Sequence, residues 1–425
     1  MLNLDKFIVL SVFCLVYLFL IFSKRYRGRS VWCGILCLTV AGVLDITTVI
    51  KAINWNVIAI FAGTLIVADL FIYSRVPALL SDILIDKSKT VGWAIILVCA
   101  VSGAVSAFVE NVATVLIVAP IALELARRLG VSAKPFLIGI AISSNLQGTS
   151  TLIGDPPSMI FAAHEKMTFN DFFVFHWKPS IFFAIQAGAI PAFGVLYLLF
   201  RKYRQPIVQL EVEKVKSWAP AVLLIIMIFA LAFSSKYDPG FRWLGGTECM
   251  ALAVLGLMWS AAKNRQEAVK VIKSYDWSTT VFLAGVFVLV ESLTQAGIID
   301  SIAVWLSKMV GHNKFLAFSC IVWASVLFSA FIDNVPYLTA MLPVISRLSI
   351  SMGMQDDYLF AFGLIIGCCL GGNVTPIGAS ANIVSISLLR KSGEHCSFFD
   401  FVKIGLPYTI AATAAGSAFV WFVWS

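Results

Sequence analysis

Two acidic residues, each followed by asparagine, lie in the middle of long apolar stretches. Glu110-Asn111 closes the run Ser106-Ala107-Phe108-Val109-Glu110-Asn111, and Asp333-Asn334 closes Ser329-Ala330-Phe331-Ile332-Asp333-Asn334, 223 residues later. In each copy a proline, Pro120 or Pro343, follows nine residues after the Asn. A carboxylate at the centre of an apolar helix costs about 3 kcal/mol and marks ion or proton pathways. Carboxylate and amide oxygens are hard ligands, suited to Na+ or to a protonatable site and poor for soft transition metals. A second acidic pair, Asp69 and Glu291, recurs at an offset of 222. Capping of nearby helices is the plainer role for both pairs. Their recurrence at equivalent places favours function.

A glycine- and threonine-rich pattern also occurs twice. Leu146-Gln147-Gly148-Thr149-Ser150-Thr151-Leu152-Ile153-Gly154 returns as Leu370-Gly371-Gly372-Asn373-Val374-Thr375-Pro376-Ile377-Gly378, at an offset of 224. Gly148, Gly154, Gly371, Gly372 and Gly378 allow backbone conformations that no continuous helix would choose. Asp155-Pro156-Pro157 reads as an N-cap followed by proline at the first helical position. Its repeat partner is Ala379, which cannot ligate anything, so a pure cap is the favoured role for Asp155. Half-helix starts near mid-membrane, with free N–H groups, suit an anion or a polar neutral solute. Asn145, Thr149, Ser150, Thr151, Asn373, Thr375, Ser380 and Asn382 add neutral polar groups. Cys368 and Cys369 precede the second break, with Cys369 matching Asn145 across the repeat. They could hold a thiophilic metalloid, although helix packing is the simpler role.

These patterns need a membrane to position them. Of the 425 residues, 60% are hydrophobic and 13% charged, which excludes an ordinary soluble domain. The net charge of +8 bears on membrane orientation and does not imply nucleic acid. Nine scattered Cys residues, without C-x-x-C or His pairing, indicate neither a zinc site nor a disulfide framework. No Walker motif, Ser-His-Asp grouping or metal-ligand spacing is visible, so the chain does not read as an enzyme and no cofactor is expected beyond Na+ or H+ as coupling ion. His164, His176, His312 and His395 fall in loop or interfacial positions. The run 7 to 23 lacks a basic leader and reads as a retained first span.

A bilayer core needs about 20 apolar residues as helix. Single spans are expected at 7–23, 31–49, 55–73, 180–200, 218–235, 247–262, 277–293 and 404–424. The stretches 91–126 and 315–348 are too long for one span and are interrupted at the acidic pairs. Both read as re-entrant hairpins. The stretches 135–165 and 357–390 read as broken helices, allowed at membrane depth only where backbone lines a protein cavity. The expected fold is an all-α polytopic membrane protein made of two repeats, 1–200 and 218–425, joined by a linker at 201–217 that includes Glu211 and Glu213. Each repeat has about five transmembrane crossings and one hairpin. An odd number of crossings inverts the second copy relative to the first.

This topology gathers 22 of the 31 Lys and Arg on one face, among them Lys24, Arg25, Arg27, Arg75, Lys87, Arg127, Lys216, Lys273 and Arg390. That face is expected to be cytoplasmic, with both termini outside. The linker is then expected to be cytoplasmic, and the expected membrane is a bacterial-type inner (plasma) membrane.

The segments SAFVENVATVLIVAP, SNLQGTSTLIGDPPS, SAFIDNVPYLTAMLP and GGNVTPIGASAN resemble the ion transporter superfamily over essentially the whole chain. The nearest branch contains arsenite-efflux permeases, the melanosomal P protein and D-type sodium/proton antiporters. Sodium-coupled dicarboxylate transporters are more distant. The resemblance implies a homodimer with a scaffold and a moving transport domain that works as an elevator. It implies one cation site at Glu110, Asn111, Thr149 and Gly154 and a second at Asp333, Asn334, Asn373 and Gly378. Substrate would sit between them, near Thr151, Thr375 and Asn382, with Asn145 and Asp155 close by.

Dicarboxylate members carry Ser-Asn-Thr at the tips, where this chain has Glu-Asn-Val and Asp-Asn-Val. Arsenite permeases lack the Gly-Asp-Pro-Pro pattern. The expected function is secondary active transport of a small inorganic ion or oxyanion against H+ or Na+, with arsenite or antimonite efflux leading. Sodium/proton antiport and sodium-coupled anion symport are the alternatives. Arsenite efflux would leave room for a separate ATPase subunit. Membrane lipid and the small solute are the other expected partners.

Overall fold

The computed structural model describes residues 2–22, 26–86, 88–206, 214–311, 313–353 and 358–425. Lys24, Arg25, Lys87, His312 and the middle of the expected linker, with Glu211 and Glu213, lie outside the described residues. A chain this apolar must satisfy its backbone internally, and helices do so within one segment. Among the described residues the protein is accordingly all-α apart from one tiny hairpin.

Among the described residues the helices form two runs of ten in the same order. The first run is α1 (Leu2–Phe22), α2 (Arg27–Val40), α3 (Ile46–Ala52), α4 (Trp55–Tyr73), α5 (Val76–Asp86), α6 (Val91–Ser106), α7 (Asn111–Leu129), α8 (Lys134–Gly148), α9 (Pro156–Glu165) and α10 (Ile181–Phe200). The second is α11 (Ala219–Ser234), α12 (Leu244–Lys263), α13 (Arg265–Ser274), α14 (Trp277–Gln295), α15 (Ile298–Val310), α16 (Lys314–Ser329), α17 (Asn334–Ser351), α18 (Leu359–Gly371), α19 (Ser380–Lys391) and α20 (Phe398–Trp424). Among the described residues, Trp55–Tyr73, Ile181–Phe200, Leu244–Lys263, Arg265–Gln295 and Phe398–Trp424 are long and apolar enough to cross a membrane.

The hairpins expected at 91–126 and 315–348 are the pairs α6/α7 and α16/α17, each turning in the four residues before its Asn. The broken stretches are α8/α9 and α18/α19, interrupted at 149–155 and 372–379. Four helices occupy places the sequence leaves as connections or folds into neighbouring spans: α3, α5, α13 and α15. They are short or carry charges such as Asp300 and Lys308, so an apolar count passes over them. Between α9 and α10, Val174–Phe175 pairs antiparallel with Lys178–Pro179 around His176 and Trp177, both at positive φ.

Small residues set the closest helix crossings, since lipid supplies no hydrophobic drive between helices. A Cβ on Gly63 of α4 would stand 2.5 Å from the Cys249 backbone of α12, and one on Gly285 of α14 would stand 2.7 Å from Val31 of α2. These are the glycines that recur in sequence at offset 222. A Cβ on Gly188 of α10 would stand 2.6 Å from the Ala412 carbonyl of α20. The two runs interlock: α7 packs on α19, and α9 on α17.

Backbone and side-chain bonds also join the basic connections. The Ala133 N–H donates to Glu394 Oε1 at 2.8 Å, and Lys134 pairs with Asp400 at 3.2 Å. Lys216 N–H donates to the Ser74 carbonyl at 3.0 Å. Segments 127–134 and 390–403 therefore meet, as do 74–75 and 214–216.

Candidate functional site

Each hairpin tip is stitched to the break in the following helix. The Thr151 hydroxyl donates to the Ala107 carbonyl, and the Thr375 hydroxyl donates to the Ala330 carbonyl. Gly154 packs against the Gly148 and Ser106 carbonyls, and Gly378 against those of Gly372 and Ala330, where a side chain would collide. The two repeats thus build the same joint. Its threonines are committed to holding tip and break together.

The tips and the breaks end in helix starts with different caps. The Glu110 carboxylate accepts from the Ala113 N–H at 2.9 Å to start α7, and Asp333 accepts from Val335 N–H at 3.2 Å to start α17. Asp155 accepts from Ser158 N–H at 2.9 Å to start α9 and also takes the Thr149 hydroxyl at 3.3 Å. Ala379 precedes α19 without any side-chain cap. Four helix starts, each carrying a partial positive charge, therefore converge near the two tips.

Between them lies a cavity of about 350 Å3. Glu110, Asn111, Asp333 and Asn334 line it, together with Pro156 and Ser380 at the starts of α9 and α19. Asp69 reaches it from the last turns of α4. Its repeat partner Glu291 does not; that side chain accepts from Gln295 at 3.2 Å. Of the other sequence-flagged residues, Asn145, Thr149, Thr151, Gly154, Asp155, Asn373, Thr375, Gly378 and Asn382 sit in the layer behind the wall.

That layer contains an asparagine chain. Asn111 donates to Asn145 Oδ1 at 3.0 Å, and Asn145 donates to Asn373 Oδ1 at 2.8 Å and to Asn382 Oδ1 at 2.9 Å. Asn382 in turn donates to the Gly372 and Thr375 carbonyls at 2.8 and 2.9 Å. The Asn373 amide nitrogen is buried without a partner. Cys368 donates to the Asn334 carbonyl at 3.3 Å, and neither Cys368 nor Cys369 reaches the cavity.

A bonded trio on the wall, Arg27, Thr279 and Asp276, escapes the sequence reading. Arg27, at the start of α2, donates to Asp333 Oδ2 and Ser380 Oγ, both at 3.4 Å, and to Thr279 Oγ1 at 2.9 Å. Thr279 bonds to Asp276, which caps α14. Arg27 looks in sequence like any basic residue flanking a span, and only packing turns it inward. Asp276 did leave a signal: Asp276-Trp277 repeats Asn54-Trp55 at offset 222, and both first residues are N-caps. Among the described residues Arg27 is the lone basic side chain on a wall that carries Asp69, Glu110, Asp276 and Asp333.

Carboxylates therefore outnumber cations on the wall of a cavity set between paired hairpins and broken helices. Known proteins show the family and the fold. An uncharacterized transporter of Mycobacterium tuberculosis is 28% identical over 378 residues, 87% of this chain and 86% of the relative. The 46 kDa membrane protein of Mycobacterium leprae is 30% identical over 74% of each chain. The P protein of Sus scrofa is 25% identical over 95% of this chain, which spans 58% of that longer relative. In fold, the chain is similar to the YdaH transporter of Alcanivorax borkumensis, with a TM-score of 0.61, 12% identity and 89% coverage of both chains. It is also similar to MtrF of Neisseria gonorrhoeae, described as one of a class of antimetabolite efflux pumps, with a TM-score of 0.56, 14% identity, and coverage of 92% of this chain and 84% of that one. The protein is thus a multi-pass membrane transporter, and the match of residues 17–362 to the citrate transporter family, CitMHS, makes it a member of that family.

Proposed function

We propose that the protein is a secondary active transporter that couples a small inorganic solute to H+ or Na+ at the cavity between the hairpin tips. The observation that carries this reading is the wall itself: the repeat-related carboxylates Glu110 and Asp333 share one cavity with Asp69 and Asp276, against one guanidinium. Such a lining attracts cations. A di- or tricarboxylate would add charge of the same sign, which makes free citrate or succinate the poorer fit.

Sodium/proton exchange needs nothing beyond these carboxylates, and it is the function the geometry supports best. Arsenite efflux remains compatible in one form. Arsenous acid is uncharged at neutral pH, and an oxygen-lined cavity could accept it through its hydroxyls. The cysteines would take no part, since both thiols lie behind the wall.

The two runs of ten helices support an inverted repeat, and the separate packing of α4 on α12 and α2 on α14 supports a scaffold distinct from the hairpins and broken helices. The cavity borders the last turns of α4 and the joint of α13 with α14, and its lining residues Ile72 and Ser274 lie within three residues of Arg75 and Lys273 in sequence. With the basic face inside the cell, this is the cytoplasm-open state of an alternating-access cycle.

Purified protein in liposomes tests the reading. Sodium-driven alkalinisation that is lost in Glu110→Gln is the expected result. Unchanged flux in that variant, or uptake of succinate that ignores it, would remove the cavity from the transport path.

A further inference from the structure

The two tip carboxylates are equivalent in sequence but not in company. Asp333 forms an ion pair with Arg27 at 3.4 Å, with the side chains 14% and 19% exposed. Glu110 has no basic partner among the described residues; its recorded bond is to the Ala113 N–H. The difference traces to a single position. Gly28 of α2 lies against the Ser278 carbonyl of α14, and Gly246 of α12 lies against the Asn56 carbonyl of α4; Asn56 and Ser278 are repeat partners at offset 222. Arg27 therefore corresponds to Gly245. The neighbours agree: the Arg27 guanidinium sits 5.3 Å over the Phe282 ring, and a Cβ on Gly245 would stand 3.3 Å from Ile60, the repeat partner of Phe282. Where one half puts a cation beside its tip, the other has no side chain at all.

From this we infer that Arg27 is a built-in cation: it neutralises the Asp333 tip permanently, so that only the Glu110 tip takes an exchangeable Na+ or H+. The inference rests on the cation-coupled reading above. The guanidinium suits the role because it stays charged at every physiological pH and offers several donors in a fixed plane. It uses them on one residue from each surrounding element, Asp333 before α17, Ser380 of α19 and Thr279 of α14. A bound Na+ would draw on the same oxygens. The chain thus sets its own coupling ratio, with one exchangeable charge where two symmetric tips would give two.

The test counts radiolabelled Na+ bound per chain by purified full-length protein at fixed pH. Arg27→Gln frees Asp333, and the count should rise by one equivalent over wild type; Arg27→Lys should leave it unchanged. Adding Asp333→Asn to Arg27→Gln should remove the extra equivalent. A monodisperse Arg27→Gln protein with the wild-type count overturns the inference. Asp333→Asn alone gives an independent reading that does not depend on Arg27→Gln folding. It should retain every wild-type equivalent, and loss of one overturns the inference. The absolute count belongs to the parent reading: an equivalent in wild type that disappears in Glu110→Gln supports Na+ coupling at that tip. No binding in wild type would sink Na+ coupling there, while an increment of one on removing Arg27 would still support the built-in cation.

Discussion

Asn145 on α8 and Asn373 in the second break are joined by a 2.8 Å hydrogen bond that crosses between the two halves of the chain. Through it, and through Asn111 and Asn382, one hairpin tip, α8, α19 and the second break become a single buried polar unit.

Removing the centre of this unit should therefore be costly. Asn145→Ala would strand polar atoms of Asn111, Asn373 and Asn382, each buried orphan costing about 1–3 kcal/mol. The expected outcome is a loss of about 3 kcal/mol or more in thermal unfolding of the solubilised protein. An unchanged midpoint would show that the amides find other partners.

The joints between tip and break should tolerate no side chain. Gly154→Ala and Gly378→Ala each force a Cβ into backbone carbonyls, and overpacking of this kind costs about 1–3 kcal/mol. Both variants should lose stability and transport together. Gly194→Ala is the control: nothing lies within 4 Å of its Cβ, and the change should gain up to about 1 kcal/mol of helix stability.

The paired cysteines should prove dispensable for solute recognition. Cys368 and Cys369 are 0% and 1% exposed. Replacing Cys369 with Ser should leave the apparent transport constant for any solute unchanged, and a maleimide should label neither thiol before unfolding. A raised constant for arsenite in that variant would restore thiol ligation.

Asp238 gives a pH-dependent prediction outside the membrane. Burial pushes its carboxyl up, but N–H donors from Trp243, Leu244 and Arg242, at 2.9 to 3.0 Å, more than offset this and hold it below the usual range. A lowered folded value means that the stabilisation is present above the unfolded value, about 3.9, and is lost as pH falls through the folded one. Asp238→Asn should cost about 1 kcal/mol at neutral pH, the size of a helix cap, by loosening the start of α12. The gap between variant and wild type should close in acid, and a gap that is constant with pH would show that the charge is irrelevant.

Orientation can be read from single cysteines in a chain freed of its own. Asn264→Cys should react with an impermeant maleimide only after the membrane is opened, and Gly240→Cys should react in intact cells. The reverse pattern would invert the assignment of the basic face.

Much of the architecture is written locally, and the sequence therefore determined it. The hairpins, the breaks and their tips are marked by Glu110-Asn111, Asp333-Asn334 and the glycine-threonine runs, because a polar interruption in an apolar stretch has few structural solutions in a membrane. Duplication doubled the signal. The wall of the cavity was only half legible. Glu110, Asn111, Asp333, Asn334 and Asp69 were visible as misplaced polar groups, while Arg27 was hidden among basic residues that flank any span. Its direction depends on how α2 packs on α14, where Gly28 lies against the Ser278 carbonyl 250 positions further along the chain. The same holds for Thr151 and Thr375, whose composition suits solute binding and whose hydroxyls are taken up by Ala107 and Ala330. Residue type and spacing fix which groups can do chemistry; which of them face the cavity was decided by how the two halves pack.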